Sequence, residues 1–258
     1  MITLDELKKI ARMKGISNLG YAEKDYLLDV ALFSLSKNTK NELVFKGGTC
    51  LYKFYKINRF SEDIDFSAVK EINIEELMKK IIHDLGLFGI EAEVKEKKER
   101  YSTILLTLLA KGPLYNGNKN SLCSIRIDIN LKSEVVLEPT LATHNSIYPD
   151  IPPYSLLIMQ EKEILAEKMR AIINRDHARD VYDLWFLLER GILFDKSLIE
   201  KKLDYYNKNW NHKEFILRMR NKKDQWDYEI KQLMLIMGTA PAFKDVEKAI
   251  LQKLNFSA

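Results

Sequence analysis

The chain has little cysteine: of its 258 residues only Cys50 and Cys123 are cysteines. Two thiols so placed make neither a disulfide framework nor a cysteine metal site, and they suit a reducing cytosol. A cytoplasmic location is therefore expected. The four histidines, His83, His144, His177 and His212, are scattered and have no metal-ligand spacing. No run of about eighteen apolar residues occurs, so no membrane span is expected. The opening "MITLDELKKIARMKG" has no long apolar stretch of the signal-peptide kind. Net charge is also small, at +4, and by itself demands no nucleic-acid partner. Internal repeats and low-complexity tracts are absent. With 46% hydrophobic residues, the chain is able to bury a real core in one large domain or two small ones.

Thr3 with Glu6 reads as a capping box opening a first helix. A second helix fits roughly 22–36. "ELVFKGG" reads as a short strand ending in a glycine turn, "TCLYKFYKI" as a helix after it and "EDIDFSA" as a strand. A helix over about 74–85, closed near Gly86, precedes three strand-like runs, "EAEVKEKKE", "YSTILLTLLAK" and "LCSIRIDINLK". "GPLYNGNKNS" between the last two reads as a hairpin loop. Four of the six prolines fall in "LEPTLATHNSIYPDIPPYS", which reads as the domain boundary. Beyond it come a long helix over "LLIMQEKEILAEKMRAIINR", a second over "ARDVYDLWFLLERG" stopped by Gly191, and three more. The fold class expected is α/β (α+β). A mixed-sheet core over 1–140 precedes a helical domain over 141–258, with an active cleft between them.

The chemistry concentrates in "FKGGTCLYKFYKINRFSEDIDFSA", residues 45–68. In a strand, Asp63 and Asp65 share one face with Cα atoms ~7 Å apart, while Ile64 and Phe66 pack on the other. Two such charges repel unless a cation sits between them. Mg²⁺ fits, because it takes oxygen ligands from one or two carboxylates and completes its shell with water and phosphates. In "SIRIDIN", Arg126, Asp128 and Asn130 share a face opposite Ile125, Ile127 and Ile129. Asp128 is thus a third candidate ligand for a two-metal site. Gly47 and Gly48 let backbone approach a ligand, and Thr49 adds a hydroxyl at a helix start that offers N–H groups to phosphate. Taken singly, each feature also has a bland reading: a DxD on a solvated strand edge, a plain glycine turn, a surface aspartate. Their conjunction is what points to chemistry.

"GGTCLYKFY…RFSEDIDF" resembles the nucleotidyltransferase toxins of the AbiEii/AbiGii type, within the DNA polymerase β-like nucleotidyltransferase superfamily. "EKMRAIINRDHARDVYDLWFLL", residues 167–188, resembles that family's second block, a lysine helix followed by RDxxDL. The chain departs from the superfamily pattern by having Gly48-Thr49 where Gly-Ser is usual. The resemblance implies a Mg²⁺-dependent enzyme, with Mn²⁺ an alternative, that moves a nucleoside monophosphate from an NTP to an acceptor. RNA, a tRNA 3′ end first, is the acceptor it implies, and a separate antitoxin protein the partner. It assigns catalysis to Asp63, Asp65, Lys168 and Asp180, and metal binding to Asp63, Asp65 and Asp128. It assigns the nucleotide to Gly47, Gly48, Thr49, Ser61, Lys168 and Arg179.

The residues leave other readings open. Lys168 or Arg179 also suits pairing with Asp180 or Asp183, three apart on one helical face, where two helices cross. The acceptor is open too: a small molecule or a protein hydroxyl fits the same fold, as does a non-catalytic binding role. The lysine-rich stretch 196–231, with Tyr205, Tyr206, Trp210, Trp226 and Tyr228 interleaved, suits an RNA surface. It also suits core aromatics between solvated lysines. Lys201, Lys202, Lys222 and Lys223 are expected to be exposed. "KEKKER", residues 95–100, reads as a solvated strand end.

Overall fold

The computed structural model describes residues 1–132, 135–235 and 240–255. The chain divides into two compact units: 1–56 with 60–135 and 139–158, and 57–59 with 136–138 and 159–258. A seven-stranded mixed sheet forms the first. Its strands are β1 (Leu43–Lys46), β2 (Asp63–Ala68), β3 (Ala92–Arg100), β4 (Thr103–Ala110), β5 (Cys123–Asn130), β6 (Thr140–His144) and β7 (Tyr154–Ile158). Their spatial order is β3-β4-β5-β2-β1-β7-β6. The β2–β5 and β1–β7 pairs are parallel and the rest antiparallel. The proline-bearing segment read as a boundary therefore carries two strands. It extends the sheet beyond residue 140, because Leu156 and Ile158 add apolar side chains that the sheet buries.

The core face is built by alternation. Ile64, Phe66, Ile125, Ile127 and Ile129 are all buried, and the Phe45 and Phe66 rings lie 5.1 Å apart. Register pairs Ile64 with Ile127 and Phe66 with Ile129. A one-residue slip would turn this set outward, so the apolar pattern pins the register. β3 is an edge strand exposed on both faces, so "KEKKER" is strand body rather than strand end. Its charges blunt an edge that would otherwise invite pairing.

Helix α1 (Leu4–Met13) starts at the expected capping box: Thr3 N donates to Glu6 Oε2 at 2.7 Å and Glu6 N to Thr3 Oγ1 at 3.2 Å. α2 (Leu19–Asn38) packs on β5 and β7 and is buried on most sides, acids included. Lys53, on the short α3 (Gly47–Lys53), explains those acids: its Nζ lies 2.7 Å from Asp25 Oδ1 and 2.8 Å from Asp29 Oδ1. Lys14 adds a second cation at 2.5 Å from Asp25, and the hydroxyls of Tyr148, Tyr154 and Ser146 donate to the same two carboxylates. Burial pushes both acids up, but Lys53 and its neighbours outweigh it and hold them below the usual range. The network clamps α3 to α2. α4 (Ile74–Leu87) follows β2 and runs past Gly86.

The second unit is helical: α5 (Glu161–Asn174), α6 (Ala178–Glu189), α7 (Lys196–Asp204), α8 (His212–Arg220), α9 (Lys223–Leu233) and α10 (Phe243–Lys253). Four helices, not three, thus follow α6 among the described residues. Among the described residues no helix is long and apolar enough to cross a membrane.

Two of the four lysines expected at the surface are buried. Lys202 reaches Glu163 at 2.6 Å and Glu167 at 3.3 Å, and Lys222 donates to the carbonyls of Ile172 at 2.9 Å and Arg218 at 3.0 Å. Each ammonium sits under its helix because buried acceptors there satisfy it. Lys201 and Lys223 are exposed as expected. Trp226 belongs to the core, whereas Tyr205, Tyr206 and Tyr228 are exposed.

Candidate active site

The parallel pairing of β2 with β5 sets Asp65 directly beside Asp128 and Asp63 beside Arg126. Asp63, Asp65 and Asp128 are half-buried on the face opposite the isoleucines. Asp63 Oδ1 is shut off from solvent and has no hydrogen-bond donor. Arg126 Nε lies 2.7 Å from it, an ion pair by distance with no N–H aimed along the contact. The Asp128 carboxyl is pushed up to about 6, first by burial and then by Asp65 and Asp63, with Arg126 opposing.

Gly47 lies against this row with φ +77°, a left-handed conformation that favours glycine. A Cβ there would collide with Asp65 Oδ2 and stand 3.0 Å from Asp65 Cγ. The glycine is thus required twice over, by its backbone angle and by the carboxylate it admits. The two glycines form the first turn of α3 itself rather than a turn before it. Thr49 is fully buried; its hydroxyl donates to the Asp63 carbonyl and lies 3.0 Å from Ser61 Oγ. The pair braces the start of α3 against the start of β2.

Do these residues fit a divalent cation? Among the described residues no three His, Cys, Asp or Glu side chains converge as a ready cage. Mg²⁺ needs none, because it keeps several waters and shares its shell with substrate phosphates. An orphaned oxygen on Asp63 and an Asp128 raised by burial and then by Asp65 and Asp63 are what an oxygen-seeking cation would relieve, and Gly47 leaves room beside Asp65.

The second block lies in the other unit and forms its own cluster. Lys168 Nζ on α5 contacts Asp180 Oδ1 at 3.0 Å and Asp183 Oδ2 at 2.6 Å, both on α6. Arg175 grips Asp180 through Nε at 2.7 Å and Nη2 at 2.9 Å. Arg59 grips Asp183 through Nε at 2.5 Å and Nη2 at 2.6 Å. Both aspartates are fully buried, as their spacing on one helical face implies. Burial pushes Asp180 up, but Lys168 and Arg175 hold it well below the usual carboxylate range. These five groups carry three positive charges and two negative ones. Arg179 is half-buried at the start of α6, and among the described residues no carboxylate pairs with its guanidinium. Its backbone N donates to Glu229 at 3.3 Å.

Sequence reasoning overlooked Arg59, Arg175 and the pairing of Arg126. Arg175 was within reach, five residues before Asp180 in the α5–α6 turn. Arg59 was not, since 124 positions separate it from Asp183 and no local pattern links them.

The family model for the nucleotidyl transferase AbiEii toxin of type IV toxin–antitoxin systems matches residues 30–250. The chain belongs to that family and is a nucleotidyltransferase toxin of a type IV toxin–antitoxin system. Among solved structures it is similar to MenT4, a nucleotidyltransferase toxin from Mycobacterium tuberculosis H37Rv. The TM-score is 0.68 at 19% identity, over 96% of this chain and 88% of that one. It is also similar to JHP933 from Helicobacter pylori, with TM-score 0.57 at 21% identity, over 91% and 93%. At these identities the likeness is one of fold. No curated protein sequence matches the chain.

Two expected outcomes follow from these clusters. Asp128's folded value lies above its ordinary 3.8. Its contribution to stability is therefore complete below about pH 4 and lost as pH rises through about 6. In EDTA, Asp128→Asn should remove that part of the pH dependence. Above pH 6 it should melt above wild type by roughly 2–4 °C, a modest gain because the site is partly solvated. Equal melting at pH 5 and pH 8 relative to wild type would show that the row carries no such strain. Asp183→Asn should cost about 3–5 kcal/mol in urea unfolding, because it strips a carboxylate from the buried Arg59. Arg175→Gln should cost at most about 1 kcal/mol, since that side chain is already 49% exposed. Similar costs for the two variants would contradict the network as described.

Proposed function

We propose that this toxin transfers a nucleoside monophosphate from an NTP to an RNA hydroxyl, with a tRNA 3′ end the first candidate. The reaction is Mg²⁺-dependent, with Mn²⁺ able to substitute, and takes place in the cytoplasm. The observation that carries the reading is the register of Asp65 with Asp128, with Asp63 on the same face and one of its oxygens lacking a donor.

In this reading Asp63, Asp65 and Asp128 would hold the metal, which supplies charge neutralisation at the phosphates and in-line alignment of attacking and leaving oxygens. The acceptor hydroxyl oxygen bonds to the α-phosphorus, the bond to the bridging oxygen breaks, and pyrophosphate leaves. The hydroxyl proton passes to a carboxylate of the row. Gly47 and Gly48 admit the phosphates, and Thr49 and Ser61 brace that turn. Asp180 and Asp183 aim Lys168, and the net positive charge of their network suits the leaving pyrophosphate. Arg179 assists at the start of α6. A cognate antitoxin opposes the activity, as the family's two-component nature implies.

The RNA acceptor is supported by the exposed Lys201, Lys208, Lys213 and Lys223, with exposed Tyr205, Tyr206 and Tyr228 among them. Cations interleaved with aromatic faces hold single-stranded RNA by phosphate contact and base stacking.

The test is incubation with total RNA, Mg²⁺ and each labelled NTP in turn. Label should enter RNA, and Asp65→Ala should reduce incorporation by roughly 10²–10³-fold or more while melting stays near wild type. Labelled protein or labelled small molecules in place of RNA would move the acceptor to those classes. Full activity in Asp65→Ala would overturn the metal assignment. Changing Lys201, Lys208, Lys213 and Lys223 together to Glu should flatten the salt dependence of RNA binding, since each lost phosphate contact lowers the slope by about 0.7. Stability should change little for such exposed sites. Identical slopes and unchanged modification would make this face mere solvated surface.

A further inference from the structure

Arg126 stands two residues before Asp128 on the same face of β5, and register sets it beside Asp63. Its Nε is 2.7 Å from Asp63 Oδ1, yet that buried oxygen receives no hydrogen bond. An arginine pair built for structure looks different here: Arg59 forks onto Asp183 with both contacts hydrogen-bonded and both side chains buried. Arg126 instead keeps a side chain 51% exposed and touches its carboxylate at a poor angle. A contact of that kind supplies charge more than hydrogen-bond strength, and it leaves the guanidinium able to swing into water. The charge is needed where it lies, since Asp63, Asp65 and Asp128 share one face and repel.

We propose that Arg126 is a positioning residue that serves as the counter-ion of Asp63 in the metal-free enzyme and must be displaced when a divalent cation binds. The inference rests on the reading that Asp63, Asp65 and Asp128 take such a cation. Arg126 and the cation compete for the same oxygen, so the arginine holds the row together when empty and weakens its grip on the metal. A residue with a merely structural role would weaken metal binding when removed, whereas Arg126 should strengthen it.

The experiment is a Mn²⁺ titration of nucleotide-free protein, with free ion followed by electron paramagnetic resonance. Wild type, Arg126→Gln and Asp65→Asn are compared, each checked for folding by thermal melting. Arg126→Gln should bind Mn²⁺ about two- to fivefold more tightly, the scale of one partly exposed charge pair. Unchanged or weaker binding in a folded Arg126→Gln protein overturns the proposal. Should that variant not fold, wild type still decides. Mg²⁺ addition should then shift the Arg126 Nε–H resonance with the midpoint of metal binding, and an unmoved resonance overturns the proposal. Asp65→Asn separates the two readings. If it abolishes the wild-type Mn²⁺ binding, the metal site stands whatever Arg126 does. If wild type takes up no Mn²⁺, or Asp65→Asn binds as well as wild type, both readings fall.

Discussion

The parallel register of β2 with β5 is the constraint on which the first unit turns, because it forces Asp65 and Asp128 side by side. Neighbouring strands lie ~4.8 Å apart, and two unit charges at ~5 Å in an effective dielectric of ~20 repel by about 3 kcal/mol. A sheet free to choose would slip away from that contact. It does not, because Ile64, Phe66, Ile127 and Ile129 occupy the same registers on the opposite face and are all buried. Each such side chain gains about 1.5–3 kcal/mol on burial, so four of them outweigh the repulsion. A one-residue slip would exchange the two faces at a stroke. The core therefore enforces a strained polar face.

The buried and half-buried aspartates of this chain are pushed in opposite directions by their surroundings. Asp25, Asp29, Asp180 and Asp183 are more deeply buried than Asp128, yet all four are held below the usual carboxylate range. In each case lysine or arginine neighbours outweigh the burial. Asp128 moves the other way: burial raises it first, Asp65 and Asp63 raise it further, and Arg126 only partly compensates. A carboxylate raised among like charges is a candidate for chemistry, whereas one lowered by lysine or arginine is accounted for by its ion pairs.

Strand-level features were legible in the sequence where the signal is local. The period-two alternation of "EDIDF" and "SIRIDIN" fixed which side chains share a face, and Thr3 with Glu6 fixed where the first helix starts. What failed was whatever depends on distant partners. β6 and β7 were missed because prolines punctuate the segment, while the strands form only against β1 and each other. The pairing of the buried α2 acids with Lys53 and Lys14 was not legible either, because it arises only through tertiary packing. Lys168 was legible as a residue with two possible lives, since its spacing to Asp180 and Asp183 follows from two adjacent helices.

The lysines of α7 to α9 carry the same lesson into electrostatics. Composition counts Lys202 and Lys222 with Lys201 and Lys223, yet the four do not act alike at a distance. Lys202 is buried against Glu163 and Glu167, so its field is cancelled within a few ångströms. Lys222 spends its ammonium on two backbone carbonyls beneath its helix. Counterion release on binding RNA depends on cations that can reach a phosphate, and neither of these can. The charge that α7 to α9 present to solvent is therefore smaller than their lysine content. It comes from exposed lysines such as Lys201, Lys208, Lys213 and Lys223.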